Sequence, residues 1–159
     1  MLHIKLIAFG KCKEAYLREA CGEYEKRLGA FARLEVVELP PAPLPDAPSP
    51  AQIAAALAAE EKAARAALPP QARVAALCIE GRALSSEQFS AWLEGAAMQG
   101  GSVALLLGSS FGMSETLKQQ AELRLSLSAM TFPHQLARVL LLEQIYRAMQ
   151  ISAGGKYHK

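Results

Sequence analysis

The chain has 159 residues, a length that suits one domain, and its 17 basic and 15 acidic side chains give a formal net charge of +2. Such a charge neither requires nor excludes RNA as a partner, and three cysteines without CxxC spacing favour a reducing compartment over a disulfide framework or a metal site. No apolar run approaches the roughly 20 residues of a membrane-spanning helix, and lysine interrupts the first short run, so we expect a cytoplasmic protein without a membrane partner.

The first half of the chain is predicted to form two strands and two helices. Residues 2–9 and 33–39 are short apolar runs followed by glycine or proline, which indicates strands. Residues 13–28 carry apolar side chains every three or four positions, and the alanine-rich stretch 51–68 has high helix propensity. Between them, residues 40–50 (PPAPLPDAPSP) can form only an exposed loop, because proline removes backbone donors and restricts the preceding residue.

The second half continues the alternation of strands and helices. Predicted strands cover 73–79, 102–107 and 123–127, and predicted helices cover 86–99, 114–121 and 135–151. Ser85 and Gln88 have the spacing of a capping box at the start of the first of these helices. The whole pattern predicts an α/β protein with a mostly parallel sheet.

Ligands of such sheets bind at the carboxyl ends of strands. Three segments follow predicted strands and compete for that role. They are EGRALSS from Glu80, GSSFGMS from Gly108 and SLSAMTFPH from Ser126.

The segment Gly108-x-Ser110-x-Gly112 fits the nucleophile elbow of α/β-hydrolases. In that interpretation Ser110 is the nucleophile, His158 the base, and Glu115, Glu122 or Glu143 the acid. The chain is short for that fold, has no HGGG-type loop, and its only aspartate, Asp46, lies in the proline loop. The glycines also suit a plain tight turn or a ligand-binding turn, and the pattern alone does not choose.

The third segment offers closely spaced backbone donors and acceptors that can bracket a flat heterocycle. His134 follows Pro133 at the mouth of the last helix, where it can cap the helix, pack as a structural histidine or contact a ligand. Arg138 and Arg147 are nine residues apart on that helix, which is 2.5 turns, so they face different sides. At least one of them is therefore expected to be structural or solvent-facing.

Four stretches together resemble the ribosomal RNA large subunit methyltransferase H family of SPOUT methyltransferases. They are LCIEGRALSSEQFSAWL (77–93), LLLGSSFGMS (105–114), LSLSAMTFPHQLARVLLLEQIYRAMQI (125–151) and the terminal YHK. The resemblance extends from the first strand to the last residue, and the third stretch is its most specific part.

The resemblance implies a single domain, 1–159, with a trefoil-knotted α/β fold, a C-terminal arm at 154–159 and a homodimer formed through the terminal helices. Knots are rare exceptions to the usual topology rules, and periodicity does not predict one. The implied activity is transfer of a methyl group from S-adenosylmethionine to N3 of a pseudouridine in large-subunit rRNA on assembled ribosomes. A non-catalytic ribosome-binding or nucleotide-binding module of the same fold is the alternative.

The resemblance also assigns site residues. Cofactor contacts fall at Leu77, Gly108, Leu127, Ser128, Ala129, Met130, Thr131 and Phe132. We expect His158 to orient or deprotonate the base, Tyr157 to stack or hydrogen-bond, and Arg138 to assist, with the tail completing the partner's site. Expected RNA contacts are His134, Arg147, Lys156 and Lys159.

One position departs from the family pattern, in which a second glycine usually follows Gly108. Here that residue is Ser109, which is small, so we expect it to be tolerated. If this position needs a positive φ, a side chain there costs about 1 kcal/mol or more.

Overall fold

The sheet is built from five runs rich in apolar residues, and its strand pairings are all parallel, which confirms the prediction from the alternating pattern. The computed structural model describes residues 1–159. The strands are β1 (Leu2–Phe9), β2 (Ala32–Leu39), β3 (Arg73–Ala83), β4 (Ser102–Leu106) and β5 (Leu123–Ser126). Their spatial order is β2-β1-β4-β3-β5, so the carboxyl ends of β4, β3 and β5 lie side by side.

Helices cover both faces of this sheet. They are α1 (Ala15–Leu28), α2 (Pro50–Ala67), α3 (Ser86–Met98), α4 (Glu115–Gln120) and α5 (His134–Ser152). Buried side chains of α1, α3 and α5 form the larger core on one face, and those of α2 and α4 form a smaller core on the other. Leu6 and Ile7 are adjacent on β1, and each is fully buried in a different core, because successive strand residues point to opposite faces.

Side-chain caps fix where three helices begin. Ser85 accepts the Gln88 backbone N–H at 3.0 Å, and the Gln88 side chain accepts the Ser85 N–H at 2.8 Å, which confirms the predicted capping box of α3. A second capping box, of Ser49 and Gln52, begins α2. The sequence carries that Ser-x-x-Gln signal too, with proline at the first helical position, although it was not predicted. Ser114 caps α4.

β3 is longer than predicted, and the prediction of a loop beginning at Glu80 is wrong. Both Leu77 and Arg82 pair with Leu125, so residues 78–81 bulge out of an otherwise continuous strand. Gly81 permits this bulge, because a Cβ there would lie 2.5 Å from the carbonyl oxygen of Arg124. The bulge directs its side chains to the edge where three strands end.

The trefoil knot, the homodimer and the separate role of the arm 154–159 stay predictions. No helix combines the length and apolar character needed to cross a bilayer. No group of three or more His, Cys, Asp or Glu side chains is arranged to hold a metal ion.

Candidate active site

A cleft of about 700 Å³ opens at the carboxyl ends of β3, β4 and β5. Its walls come from the β3 bulge, the turn after β4, the segment after β5 and the first turn of α5. This volume is within the range of about 300–1,000 Å³ typical of small-molecule sites. Two of the three segments that the sequence singles out, those beginning at Gly108 and Ser126, therefore meet here, and the first contributes Glu80 alone.

Seven of the eight residues that the resemblance assigns to the cofactor line this cleft. They are Leu77, Gly108, Leu127, Ser128, Met130, Thr131 and Phe132, whereas Ala129 is exposed and does not line it. Glu80 and Phe111 also line it and belong to segments that the sequence singles out, whereas sequence reasoning missed the lining residues Cys78, Ile79 and Lys118. The bulge brings in Cys78 and Ile79, and only Gly81 hints at it in the sequence.

The turn after β4 closes on itself. The Ser109 N–H donates to the Gly112 carbonyl at 3.0 Å, and the Gly112 N–H donates to the Ser109 carbonyl at 2.8 Å. Gly112 has a φ of +82°, and a Cβ at Gly108 would lie 2.4 Å from the Gly112 carbonyl carbon. Both glycines are therefore required here. Ser110 and Phe111 form the exposed tip of the turn, at the cleft.

Ser109 does not strain this turn. Its φ is not positive, so the backbone penalty considered for a non-glycine residue does not arise. Its hydroxyl donates to Glu60 Oε1 at 2.7 Å. Ser110, in contrast, makes no side-chain hydrogen bond, and His158 bonds to Arg147 and Glu87 instead. His158, the base that the hydrolase hypothesis requires, therefore does not contact the nucleophile Ser110.

Charged side chains form a network at the rim of the cleft. Lys118 Nζ donates to Glu80 Oε1 at 2.6 Å, and Arg124 Nη2 lies 3.4 Å from Glu80 and 3.3 Å from Glu115. The hydrogen bond from Lys118 lowers the pKa of Glu80, which is therefore ionised near neutrality. Because Glu80 and Lys118 both line the cleft, its rim presents one anionic and one cationic group beside apolar walls.

α5 begins at the cleft with an uncapped first turn. Pro133 makes no side-chain cap, and Pro133, His134 and Ala137 line the cleft. Burial, followed by the charges of Arg138 and Lys13, lowers the pKa of His134. A neutral imidazole and free backbone N–H groups therefore lie at this wall.

The two arginines of α5 face different sides, as predicted. Arg138 is 4% exposed, does not line the cleft, and donates to Glu38 Oε2 at 2.6 Å and to the Gly10 carbonyl at 2.9 Å. It ties α5 to the ends of β1 and β2, which is the structural role expected of at least one of the pair. Arg147 instead donates to Glu143.

The C-terminal tail folds back over α5 and α3 of its own chain. Tyr157 donates to Glu143 Oε1 at 3.0 Å, and its ring packs edge-on against Tyr146 with centroids 4.8 Å apart. Burial, then the bond to Glu143, raises the pKa of Tyr157 to about 12. Lys156 and Lys159 are exposed.

His158 lies between Arg147 and Glu87. Arg147 Nη1 is 3.1 Å from His158 Nδ1, and His158 Nε2 is 2.7 Å from Glu87 Oε1. Because a guanidinium has donors only, His158 Nδ1 accepts a hydrogen bond from Arg147. The other ring nitrogen, Nε2, then carries the N–H and donates it to Glu87. In this arrangement both ring nitrogens have a hydrogen-bond partner.

The tail and the cleft of one chain are far apart. His134 lines the cleft, and Glu143, which receives Tyr157, is nine residues further along the same helix. At about 1.5 Å per residue this separates them by about 14 Å. One chain does not bring Tyr157 or His158 together with the residues of the cleft.

The comparisons with known proteins agree with one another. A family model described as "Predicted SPOUT methyltransferase" matches residues 2–158. The chain is 44% identical over 160 residues, with 100% of both chains covered, to ribosomal RNA large subunit methyltransferase H of Moorella thermoacetica. It is 42% identical over 159 residues, covering 99% of this chain and 100% of the relative, to the protein of that name from Streptococcus equi subsp. zooepidemicus.

A solved structure, a probable methylase family protein from Haemophilus influenzae Rd KW20, aligns with a TM-score of 0.52 and 13% identity over 99% of this chain and 70% of that one. At that identity the likeness supports the fold alone. The match of the family model and the full-length relatives carry the assignment. The chain therefore belongs to the ribosomal RNA large subunit methyltransferase H family of SPOUT methyltransferases, which use S-adenosylmethionine as methyl donor.

Proposed function

We propose that the chain transfers the methyl group of S-adenosylmethionine to N3 of a pseudouridine in large-subunit (23S) ribosomal RNA, acting as a homodimer on assembled ribosomes in the cytoplasm. The observation that carries the proposal is full-length similarity to relatives named ribosomal RNA large subunit methyltransferase H. A cleft built from the segments to which the resemblance assigns the cofactor supports it.

The residues of the cleft fit the cofactor. Leu77, Ile79 and Leu107 provide apolar walls for a heterocycle, and the backbone of 127–132 provides donors and acceptors for its edge. At the rim, Lys118 and Glu80 suit a carboxylate and an ammonium group. When bound, the sulfonium supplies an electrophilic methyl group, so the protein has mainly to position the nucleophile and accept its proton.

The proton on N3 of pseudouridine belongs to an imide and has to leave before or during the transfer. With a pKa of about 12, Tyr157 keeps its own proton near neutrality, so it serves as a donor or a stacking surface. His158 is the better candidate for the base, since its Nδ1 already acts as a hydrogen-bond acceptor. In this role His158 exchanges its contact with Arg147 for one with the substrate.

The tail of one subunit is proposed to reach the cleft of its partner. The separation of tail and cleft within one chain supports this arrangement, because the cleft alone offers only His134 as a titratable imidazole. His134, Arg147, Lys156 and Lys159 are proposed RNA contacts. The buried contacts of Arg138 support a positioning role for it, through the docking of α5, rather than contact with the substrate.

The experiment that tests this proposal is methyl transfer from labelled S-adenosylmethionine to substrates prepared from cells that lack the enzyme. Assembled ribosomes, isolated large subunits and protein-free rRNA are compared, and nucleoside mass spectrometry locates the methyl group. We expect N3-methylpseudouridine from assembled ribosomes alone. A methyl group on another nucleoside, or equal transfer to protein-free rRNA, contradicts the proposal. Absence of cofactor binding at millimolar S-adenosylmethionine would favour a non-catalytic module instead.

A further inference from the structure

Two adjacent carboxylates on α2 hold the two ends of the turn after β4. Glu60 Oε1 accepts the Ser109 hydroxyl at 2.7 Å, and Glu61 accepts the hydroxyl of Ser114. Ser109 begins the turn and Ser114 caps the helix that follows it. Neither glutamate lines the cleft, so both act on it only through these serines.

Glu60 is a specific anchor and not an incidental surface contact. It is 6% exposed, no cationic side chain pairs with it, and its second oxygen accepts the Ala42 N–H at 2.9 Å. Burying a carboxylate is costly unless hydrogen bonds satisfy it, and bonds to an ionised acceptor are short and directional. The hydroxyl of Ser109 and the Ala42 amide therefore fix Glu60, and α2 in turn fixes Ser109.

The residues between the two anchors are the ones that meet a ligand. Ser110 and Phe111 are exposed at the tip of the turn and line the cleft. The turn is internally closed by the paired bonds of Ser109 and Gly112, so it moves as a unit. Its orientation to the cleft then depends on what holds Ser109 and Ser114.

We propose that Glu60 and Glu61 are positioning residues for cofactor binding, which hold the turn 108–112 in the conformation that receives S-adenosylmethionine. The inference rests on the proposed use of this cleft for the cofactor. Without the anchors the turn samples other orientations, and the apparent dissociation constant rises in inverse proportion to the competent fraction. Ser109 is then the link between α2 and the cofactor.

Calorimetric titration of the full-length protein with S-adenosylmethionine tests whether the hydrogen bond between Ser109 and Glu60 supports cofactor binding. We expect Ser109→Ala and Glu60→Ala each to weaken binding about tenfold, which corresponds to about 1.4 kcal/mol. The double variant should be no weaker than the weaker single variant, because both changes remove the same bond. Glu60→Gln should bind almost as well as the wild type, since its amide can donate to Ser109 while its carbonyl accepts from Ala42.

Glu35→Gln is the matched control, because Glu35 is an exposed carboxylate 3.8 Å from Lys5 on the sheet. It should leave the affinity unchanged. A positioning role also predicts a raised KM for the cofactor with kcat at saturation within about twofold of wild type, because the bound turn is restored.

Wild-type affinity in Ser109→Ala and Glu60→Ala overturns the inference, and so do additive losses in the double variant. If Glu60→Ala does not fold, Ser109→Ala and Glu60→Gln still decide the matter, because their affinities should differ about tenfold. Lack of binding by the wild type would contradict the proposed function, whereas equal binding by wild type and all variants would contradict only this inference.

Discussion

The two ends of α5 differ in almost every respect. At the N-terminal end the first turn is uncapped and His134 lies at an open cleft. At the C-terminal end Glu143, Arg147, Tyr157 and His158 form a closed network of hydrogen bonds. The N-terminal end of α5 faces a cleft that can receive a ligand. The C-terminal end holds a tyrosine and a histidine in hydrogen bonds. Within one chain these two regions lie about 14 Å apart, so the proposed role of the tail requires the tail of one copy to reach the cleft of another.

The largest effect is expected from Gly108→Ala, which disrupts the turn after β4 at the cleft. A Cβ at this position would lie 2.4 Å from backbone carbon of Gly112, so the turn cannot keep its closure. We expect cofactor affinity to fall at least about a hundredfold, or about 3 kcal/mol, by calorimetric titration. Gly22→Ala on α1 is the control, since a Cβ there meets nothing within 4 Å. Normal affinity in Gly108→Ala would show that the turn is not part of the site.

The variants Arg138→Met and Arg147→Met compare how much an arginine near each end of α5 contributes to the unfolding free energy. The first change leaves Glu38 without its partner and removes a donor from the Gly10 carbonyl. Breaking a buried pair in this way costs about 3 kcal/mol of unfolding free energy. Arg147→Met, near the other end, should cost only about 1 kcal/mol, because the Arg147 side chain is 25% exposed whereas that of Arg138 is 5% exposed. Denaturant unfolding measures both values, and equal losses would contradict the distinction between the two arginines.

Deletion of Tyr157 to Lys159 tests the role of the hydrogen-bond network at the C-terminal end of α5. If the tail supplies the base, methyl transfer to ribosomes should fall about a hundredfold, a loss typical of removing a general base. Cofactor affinity should change far less, because the cleft retains all its lining residues. Removal of Lys159 alone is the control and should have a small effect. Retained methyl transfer in the longer deletion would mean that the tail is not catalytic.

The contrast also explains what the sequence can and cannot predict. Strands, helices and the Ser85 capping box follow from periodicity and local spacing, and the structure confirms them within a few residues. The β3 bulge and the pairing of Arg138 with Glu38 depend on contacts between segments that lie far apart in the chain. No local pattern encodes them.

The functional residues divide in the same way. Seven of the eight cofactor positions carried over from the family resemblance line the cleft, whereas the bulge residues Cys78 and Ile79 and the link between Ser109 and Glu60 were missed. The sequence predicts only that a small serine is tolerated at position 109, and it assigns no role to the Ser109 hydroxyl. The partner that gives its hydroxyl a role is 49 residues away.

The smallest expected effect concerns the imidazole at the open end. Burial first, then Arg138 and Lys13, lowers the pKa of His134, so the folded protein favours the neutral form. Above the unfolded pKa of about 6.5 both states are neutral, and His134 adds no pH dependence. As the pH falls through 6.5 towards the folded pKa, the unfolded state takes up the proton first, so the protein loses stability.

His134→Gln keeps a polar side chain at this wall but removes the titration. Melting temperatures measured between pH 7.5 and pH 5 should therefore fall less steeply in the variant than in the wild type, even though carboxylates contribute to both curves. Parallel curves would show that His134 is solvated like a free histidine. In that case the first turn of α5 is open to water, and the contrast between the two ends of the helix is one of hydrogen bonding alone.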